Sequence, residues 1–187
     1  MTASKKEELI DKALEVFYRE GFHATGMDRL VAVTGISKTS MYKHFKTKED
    51  LILATLERRH KYLMSLIIDR TDERADTPAK RLIAAFDSLK DWIAGGRFQS
   101  CMFIKASSEF QDPAHPIHKI SADHKRTLQD YLVAQARAAN ARNPEQLGHQ
   151  LMLLQEGAIV TAHLQGGSEA ADDAKAAAEV LVAAALA

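Results

Sequence analysis

The chain has 187 residues and no formal net charge at pH 7, because 25 Lys and Arg balance 25 Asp and Glu. This length suffices for one large or two small hydrophobic cores, and the neutral balance excludes nucleic-acid binding through a global excess of positive charge. The single cysteine, Cys101, excludes an intrachain disulfide, and no run is apolar enough for a signal peptide or a membrane span, so we expect a soluble cytoplasmic protein with no membrane partner.

The first predicted helix begins after Ser4 and ends at Gly21. The hydroxyl of Ser4 can accept a hydrogen bond from a free N–H of the first turn, where Glu7 and Glu8 complement the helix dipole. Apolar side chains recur at helical spacing on one face, which we expect to be buried; they are Leu9, Ala13, Val16 and Phe17.

Two short helical patterns follow, over about residues 28–34 and 37–45, with Gly35 between them. A glycine at this position can adopt a positive φ at the end of the first helix, and Ser37 is well placed to cap the second. Two helices joined by so short a turn cannot lie antiparallel. The pattern therefore predicts a helix-turn-helix.

The second of these helices has a positive surface. Residues 37–48 include four lysines and no acidic residue. Lysines attract the DNA backbone, and short hydroxyl side chains near a helix N-terminus can reach base edges in the major groove. This combination predicts a DNA-binding helix. The alternative interpretation is a lysine-rich face that contacts only solvent.

Residues 35–51, GISKTSMYKHFKTKEDL, resemble the motif of the tetracycline-repressor (TetR) family of bacterial transcription regulators. They contain a Gly-apolar-Ser turn, a Tyr-x-x-Phe pair and a Lys-acidic-acidic-Leu start of a long helix. The resemblance covers only the N-terminal part of the chain. It implies an all-α fold, with a three-helix DNA-binding domain over residues 1–47 and a helical effector-binding and dimerisation domain over residues 48–187.

The resemblance also implies a function. We expect a sequence-specific transcriptional regulator, most simply a repressor that a small-molecule effector releases from a double-stranded DNA operator. Nine residues in or near the helix-turn-helix are predicted to contact DNA. Those expected to read bases are Lys38, Thr39 and Ser40. Those expected to contact phosphates, and so to position the domain on DNA, are Tyr42, Lys43, His44 and Lys48. Thr25 and Ser37 complete the set.

A long helical pattern extends from Lys48 to about residue 70, with Glu49 and Asp50 in its first turn. The resemblance implies that this helix links effector occupancy to the separation of two DNA-binding domains in a dimer. Residues 58–61, RRHK, are open to two interpretations. They can form a second basic patch, or they can be a solvated face of the helix.

Aromatic and methionine residues are concentrated in the middle of the chain, around predicted helices over residues 78–94 and 116–140. The resemblance implies an effector site among these helices, and helical bundles hold small ligands between facing helices. The residues predicted to line the pocket, with plain core as the alternative, are Trp92, Phe98, Met102, Phe103, Phe110, Tyr131 and Glu156. Glu109 and His163 are further candidates for polar contacts with the effector.

Three histidines, His115, His118 and His124, raise the question of a metal site. Their spacing across a helix start does not place them one turn apart, and the sequence lacks an HExxH motif, paired cysteines and a Gly-rich phosphate loop. No nucleophile with a neighbouring base can be assigned either. We therefore expect no catalytic site, metal or cofactor. A metal-dependent enzyme and an architectural DNA-binding protein are the alternatives.

The last two helices are predicted over residues 144–166 and 170–186. Rows of apolar and small side chains follow both helices and suit close helix packing. The rows are Leu147, Leu151, Leu154, Ala158 and Thr161, and Ala174, Ala178, Leu181 and Ala185. The resemblance implies that two helices from each subunit form a homodimer interface. Such a dimer would present two recognition helices to half-sites about one DNA turn apart.

Overall fold

The structure, a computed structural model, describes residues 4–187 and is all-α over that range, as predicted. In chain order the helices are α1 (Lys5–Glu20), α2 (Met27–Thr34), α3 (Lys38–His44), α4 (Lys48–Arg74), α5 (Pro78–Ala94), α6 (Met102–Glu109), α7 (Pro116–Ala138), α8 (Pro144–Gln165) and α9 (Glu169–Leu186). None of these helices is both long and apolar enough to cross a membrane.

Side chains cap the early helices where the sequence predicts caps. The Oγ of Ser4 accepts a hydrogen bond from the N–H of Glu7 at 3.3 Å. At α4 the Oγ1 of Thr47 accepts from the N–H of Asp50 at 3.0 Å, and the Asp50 carboxylate accepts from the N–H of Thr47 at 2.9 Å. This reciprocal pair fixes the start of α4. The helix continues to Arg74, beyond the end predicted near residue 70.

The helices form two compact units. The first contains the residues up to Tyr62 together with Cys101–His124, and the second contains Leu63–Ser100 and Lys125–Ala187. Helices α4 and α7 contribute to both units. The segment Cys101–His124, which includes α6, therefore packs with the helix-turn-helix although it is distant from it in sequence. The domain boundary after residue 47 stays a prediction.

The core of the first unit fixes the helix-turn-helix against α1. Helix α1 packs on α2, and α2 packs on α3. Phe17, Phe22, Leu30 and Met41 are fully buried, and the rings of Phe17 and Phe22 stack with their centroids 5.4 Å apart. These four side chains come from α1, the α1–α2 turn, α2 and α3, respectively. Their packing therefore sets the orientation of α3.

In the second unit α9 packs against α8 and α5. Five residues of the apolar rows that we expected at a dimer interface are buried within this unit: Leu147, Leu151 and Ala158 of α8, and Ala174 and Ala178 of α9. The other four, Leu154, Thr161, Leu181 and Ala185, are half-buried. The buried small side chains allow these helices of one chain to approach closely, and the homodimer interface through α8 and α9 stays a prediction.

Gly148 brings α8 close to α7. A Cβ at this position would lie 2.5 Å from Cγ2 of Val133 and 2.9 Å from its Cα. Such distances are shorter than packed atoms tolerate, so the glycine is required here. Gly157, also on α8, has none of the described residues within 4 Å of a Cβ built on it.

Several large apolar side chains of α8 and α9 are exposed. Leu153, Val160 and Leu164 follow one side of α8 and are 72%, 43% and 77% exposed, and Val180 of α9 is 69% exposed. We call the three α8 residues the exposed stripe. Large apolar side chains grouped at a surface mark a site of interaction rather than a folded core.

Candidate nucleic-acid interface

The turn between α2 and α3 is built as the sequence predicts. Gly35 has a φ of 70°, in the left-handed region that glycine adopts without strain, and its N–H donates to the carbonyl of Val31 at 3.0 Å. The Oγ of Ser37 accepts a hydrogen bond from the N–H of Ser40 at 3.2 Å and so caps α3. The two helices are therefore joined by a fixed turn.

Helix α1 holds α2 in place through two polar contacts. The ammonium group of Lys12 donates to the Thr34 carbonyl at 2.9 Å, at the end of α2. The Glu20 carboxylate accepts hydrogen bonds from Nε and Nη2 of Arg29 at 2.8 and 2.7 Å. The hydrogen bond from Arg29, followed by that from Arg19, lowers the pKa of Glu20 to about 2.

The outward face of α3 carries positive and hydroxyl-bearing side chains. Met41 is fully buried and sets which side of the helix faces the core. The exposed side chains on or beside α3 are Lys38, Thr39, Tyr42, Lys43, His44 and Lys46. No residue of α3 is acidic. This face can contact phosphates through its cations and base edges through Thr39.

Three residues at the start of α3 differ in accessibility. Lys38 is exposed and forms a surface ion pair with Asp28 of α2, with Nζ and Oδ1 3.1 Å apart. Ser37 is exposed, whereas Ser40 is half-buried. Surface ion pairs contribute little free energy, so Lys38 can leave Asp28 and bind a phosphate or a base instead.

Thr25 lies in the α1–α2 turn, and the Lys48 side chain reaches this turn from the start of α4. Thr25 is fully buried, and its hydroxyl donates to the Gly21 carbonyl at 2.6 Å. The ammonium group of Lys48 donates to the carbonyls of Phe22 and Thr25 at 3.0 and 3.3 Å. Both side chains therefore stabilise the turn. Their predicted contacts with DNA stay predictions.

Two arginines of the RRHK segment of α4, residues 58–61, form contacts within the first unit. Arg58 forms ion pairs with Glu7 and Asp11 of α1, the second with Nη1 and Oδ1 2.8 Å apart. The guanidinium group of Arg59 lies over the Tyr18 ring, 4.8 Å from its centroid. These contacts favour a structural role for the two arginines over a second basic patch.

Sequence reasoning missed the role of two residues of α6. Glu109, a candidate for effector contact, instead accepts hydrogen bonds from the N–H groups of Phe22 and His23. Lys105, which had no predicted role, donates to the Tyr18 carbonyl at 3.0 Å, and burial lowers the pKa of its ammonium group. These partners are 86 or 87 residues apart in sequence, so no local pattern could have identified them.

The residues predicted to line the effector pocket are divided between the units. Those of the first unit are Met102, Phe103 and Phe110, and those of the second are Trp92, Phe98, Tyr131 and Glu156. Trp92 and Phe98 meet edge to face with centroids 5.0 Å apart, and Glu156 forms an ion pair with Lys125. The pocket assignment stays a prediction.

The histidines of the α6–α7 region have separate neighbours. His124 is buried, and its Nδ1 lies 2.9 Å from Nδ1 of His60. His118 Nδ1 is hydrogen-bonded to a backbone carbonyl, and His115 Nε2 lies 3.5 Å from a carboxylate oxygen of Glu49. Among residues 4–187 no three His, Cys, Asp or Glu side chains are grouped closely enough to hold a metal ion.

Two family models match the chain. Residues 9–55 match the model of bacterial regulatory proteins of the tetR family, and residues 78–178, more than half of the chain, match the tetracyclin repressor-like C-terminal domain. The chain belongs to the TetR family of bacterial transcriptional regulators. The family predicted from residues 35–51 is thereby confirmed.

Curated relatives of this TetR-family chain are transcriptional regulators. The HTH-type transcriptional regulator YjdC of Escherichia coli is 21% identical over 159 residues, which cover 83% of this chain and 81% of that protein. The HTH-type transcriptional activator FasR of Mycolicibacterium smegmatis is 36% identical over 89 residues, 48% of this chain and 40% of FasR.

Solved TetR-family structures have the same fold. SCO4454 from Streptomyces coelicolor superposes with a TM-score of 0.93 and 25% identity, over 100% of this chain and 92% of that one. A putative tetr-transcriptional regulator, sav143 from Streptomyces avermitilis, gives a TM-score of 0.84 and 25% identity over 98% of both chains. The all-helical architecture is thus shared along the whole chain.

Proposed function

We propose that this protein is a homodimeric, non-enzymatic repressor that acts in the bacterial cytoplasm, binds an operator through α3 and leaves it when a small-molecule effector binds. The observation that carries the proposal is the outward face of α3, which is exposed, free of acidic residues and held at a fixed angle by the Gly35 turn and the buried Met41. A helix presented in this way can enter the major groove.

The DNA contacts follow from accessibility on α3. Thr39 is exposed in its first turn and carries both a hydroxyl and a methyl group, which suit base edges. Lys38 and Ser40, its neighbours in sequence, are also assigned to base edges. Tyr42, Lys43 and His44, which are exposed, are assigned to phosphates, with Ser37 at the start of α3. Lys48, half-buried at the start of α4, is also assigned to phosphates, and Thr25, which is buried, completes the set on sequence grounds alone. Phosphate contacts place the domain, and base contacts select the sequence.

The exposed stripe supports the homodimer. Leu153, Val160 and Leu164 recur on one side of α8, and Val180 is exposed on α9. A twofold axis would pair this surface with its own copy, since a twofold dimer uses the same patch of both subunits. The interface then consists of α8 and α9 from each chain, through faces opposite to the rows that pack within the subunit.

Unpaired polar atoms in the second unit support an effector site. Thr71 Oγ1, the Tyr131 hydroxyl and Gln135 Oε1 are buried and have no hydrogen-bond partner among the described residues. Burial, followed by the nearby charge of Asp72, raises the pKa of Tyr131, so the phenol stays neutral. Buried polar atoms of this kind are usually satisfied by water or a ligand. They suit an effector with a hydroxyl or amide group.

Effector release is a shift between two populations of the dimer. One spacing of the two recognition helices fits the operator, and the other does not. The effector can favour the second spacing only to the extent that it binds that state more tightly. Helix α4 is suited to connect the two sites because it begins at the DNA-binding domain and continues into the second unit.

The proposal is tested by selecting DNA from a random duplex library with the purified protein and placing the selected site in a bacterial reporter promoter. Repression predicts that the protein lowers reporter expression and that a molecule found by thermal shift in a metabolite panel restores it. Increased expression would instead establish an activator, the candidate favoured by the similarity to FasR. Selection of no preferred sequence would contradict both.

A further inference from the structure

The ring of Phe110 lies between two imidazole rings. Its centroid is 4.6 Å from that of His23 and 4.9 Å from that of His115, with interplanar angles of 27° and 28°. The edge of the same ring faces Phe22 at 6.4 Å. His23 belongs to the α1–α2 turn, Phe110 follows α6 and His115 precedes α7. The His-Phe-His stack, His23 with Phe110 and His115, therefore joins three segments of the first unit.

A carboxylate accompanies each imidazole of the stack. The Glu109 carboxylate accepts hydrogen bonds from the backbone N–H groups of Phe22 and His23 at 2.9 and 2.5 Å, and it lies 3.0 Å from Nδ1 of His23. The Glu49 carboxylate lies 3.5 Å from Nε2 of His115.

Other polar groups hold the same region from the helices around it. The ammonium group of Lys48 in α4 donates to two carbonyls of the α1–α2 turn. His118 Nδ1 is bonded to the Phe110 carbonyl, and the His115 N–H donates to the Asp112 carbonyl. The turn is therefore held through its carbonyls by Lys48 and through its N–H groups by Glu109.

We propose that Glu109 is a positioning residue for DNA binding, which fixes the α1–α2 turn by accepting hydrogen bonds from the N–H groups of Phe22 and His23. The turn joins α1 to the helix-turn-helix, so its mobility becomes mobility of α3. A pre-organised binding surface loses less entropy on association and binds more tightly. The inference rests on the DNA-binding function of α3, and it predicts that loss of the Glu109 carboxylate weakens operator binding.

The test uses the full chain, amide hydrogen exchange at residues 22 and 23, and binding to the library-selected duplex. Glu109→Gln should speed the exchange of both amides and weaken binding of the duplex roughly tenfold.

His23→Gln is the matched control. It keeps the backbone N–H bonds to Glu109 and removes only the imidazole ring, so amide exchange and duplex binding should both be unchanged. The proposal is overturned if Glu109→Gln leaves the exchange of residues 22 and 23 unchanged, or if it lowers the melting temperature without changing DNA affinity. The exchange measurement needs no DNA, so a failure to bind DNA would be distinguished from the absence of the Glu109 contact.

Discussion

The ammonium group of Lys38 lies 3.1 Å from the carboxylate of Asp28 and joins the start of α3 to the first turn of α2 at the protein surface. The Asp28 side chain is 91% exposed, so the pair is fully hydrated on one side and is easily separated. An internal carboxylate thus competes with DNA for one of the lysines assigned to base reading.

Replacement of Asp28 by Asn should strengthen DNA binding about three- to fivefold at low salt, because Lys38 is released and a negative charge near the DNA is removed. Fluorescence anisotropy with a labelled duplex measures the effect. Glu15→Gln makes the same change of net charge at an exposed position of α1 and is the matched control. Equal gains in DNA affinity from both variants would show that affinity depends only on net charge and not on the Lys38–Asp28 pair.

Lys43 and Lys48 should respond differently to alanine substitution. Lys43 is exposed, so Lys43→Ala should weaken binding to all sequences and reduce the slope of log affinity against log salt by about 0.9, with little change in stability. Lys48→Ala should reduce the slope similarly and also lower the stability by about 1–3 kcal/mol, since two carbonyls lose a charged donor. Salt titrations and urea denaturation measure the two effects. A destabilised Lys48→Ala variant with an unchanged slope would leave Lys48 a purely structural role.

Thr39→Ala should alter sequence preference more than overall affinity. The exposed hydroxyl of Thr39 is assigned to a base edge, so its loss should cost about 1–3 kcal/mol on the preferred site and less on unrelated DNA. A repeated library selection with the variant measures the change. An unchanged consensus sequence would remove Thr39 from the base-reading set.

The dimer proposal predicts that a charge in the exposed stripe, or at exposed Val180 of α9, separates the subunits. Leu164→Glu or Val180→Glu would bury an unpaired carboxylate at the interface and should raise the dimer dissociation constant by at least about a hundredfold. Analytical ultracentrifugation measures it. Val33→Glu places the same charge at an exposed apolar position of α2 and should leave the dimer intact. Dimers that survive both interface variants would indicate another contact surface.

The Glu20–Arg29 contact predicts a loss of stability in acid. Because Arg29 lowers the pKa of Glu20 from 4.5 to about 2 in the folded chain, the contact stabilises the fold fully above about pH 4.5. This contribution is lost as the pH falls from 4.5 towards 2. Glu20→Gln should therefore lower the free energy of unfolding at neutral pH. It should also make this free energy fall less steeply between pH 4.5 and 2. Urea denaturation at a series of pH values measures both effects. A decline identical to that of the unmodified protein would contradict the assignment.

The helix-turn-helix was predictable because its determinants are local. The glycine at position 35, the serine cap two residues later and the apolar spacing that buries Met41 all act within one or two turns of helix. The same holds for the capping pair of Thr47 and Asp50. Short-range hydrogen bonds and side-chain periodicity leave a direct record in sequence, so the helix-turn-helix followed from them. The family and the all-α fold followed from the resemblance of residues 35–51 to the TetR motif.

The orientation of α8 was not predictable in the same way. Apolar residues lie on most sides of this helix, including buried Leu147 and Leu151 and exposed Leu153 and Leu164. Periodicity identifies a buried face only where the opposite face is polar. The row chosen from the sequence proved to pack inside the subunit, and only the positions of α9 and α5 revealed which residues remain exposed.

The amino-acid sequence by itself determined the helices, their caps, the positive face of α3 and membership of the TetR family. The tertiary structure alone decided that Glu109 holds the α1–α2 turn, that Lys48 and Thr25 stabilise that turn, and that the exposed stripe is the free face of α8. The physical reason is distance along the chain. Contacts within a helical turn are encoded by neighbouring residues, whereas the contact of Glu109 with Phe22, 87 residues away, exists only after the helices have packed.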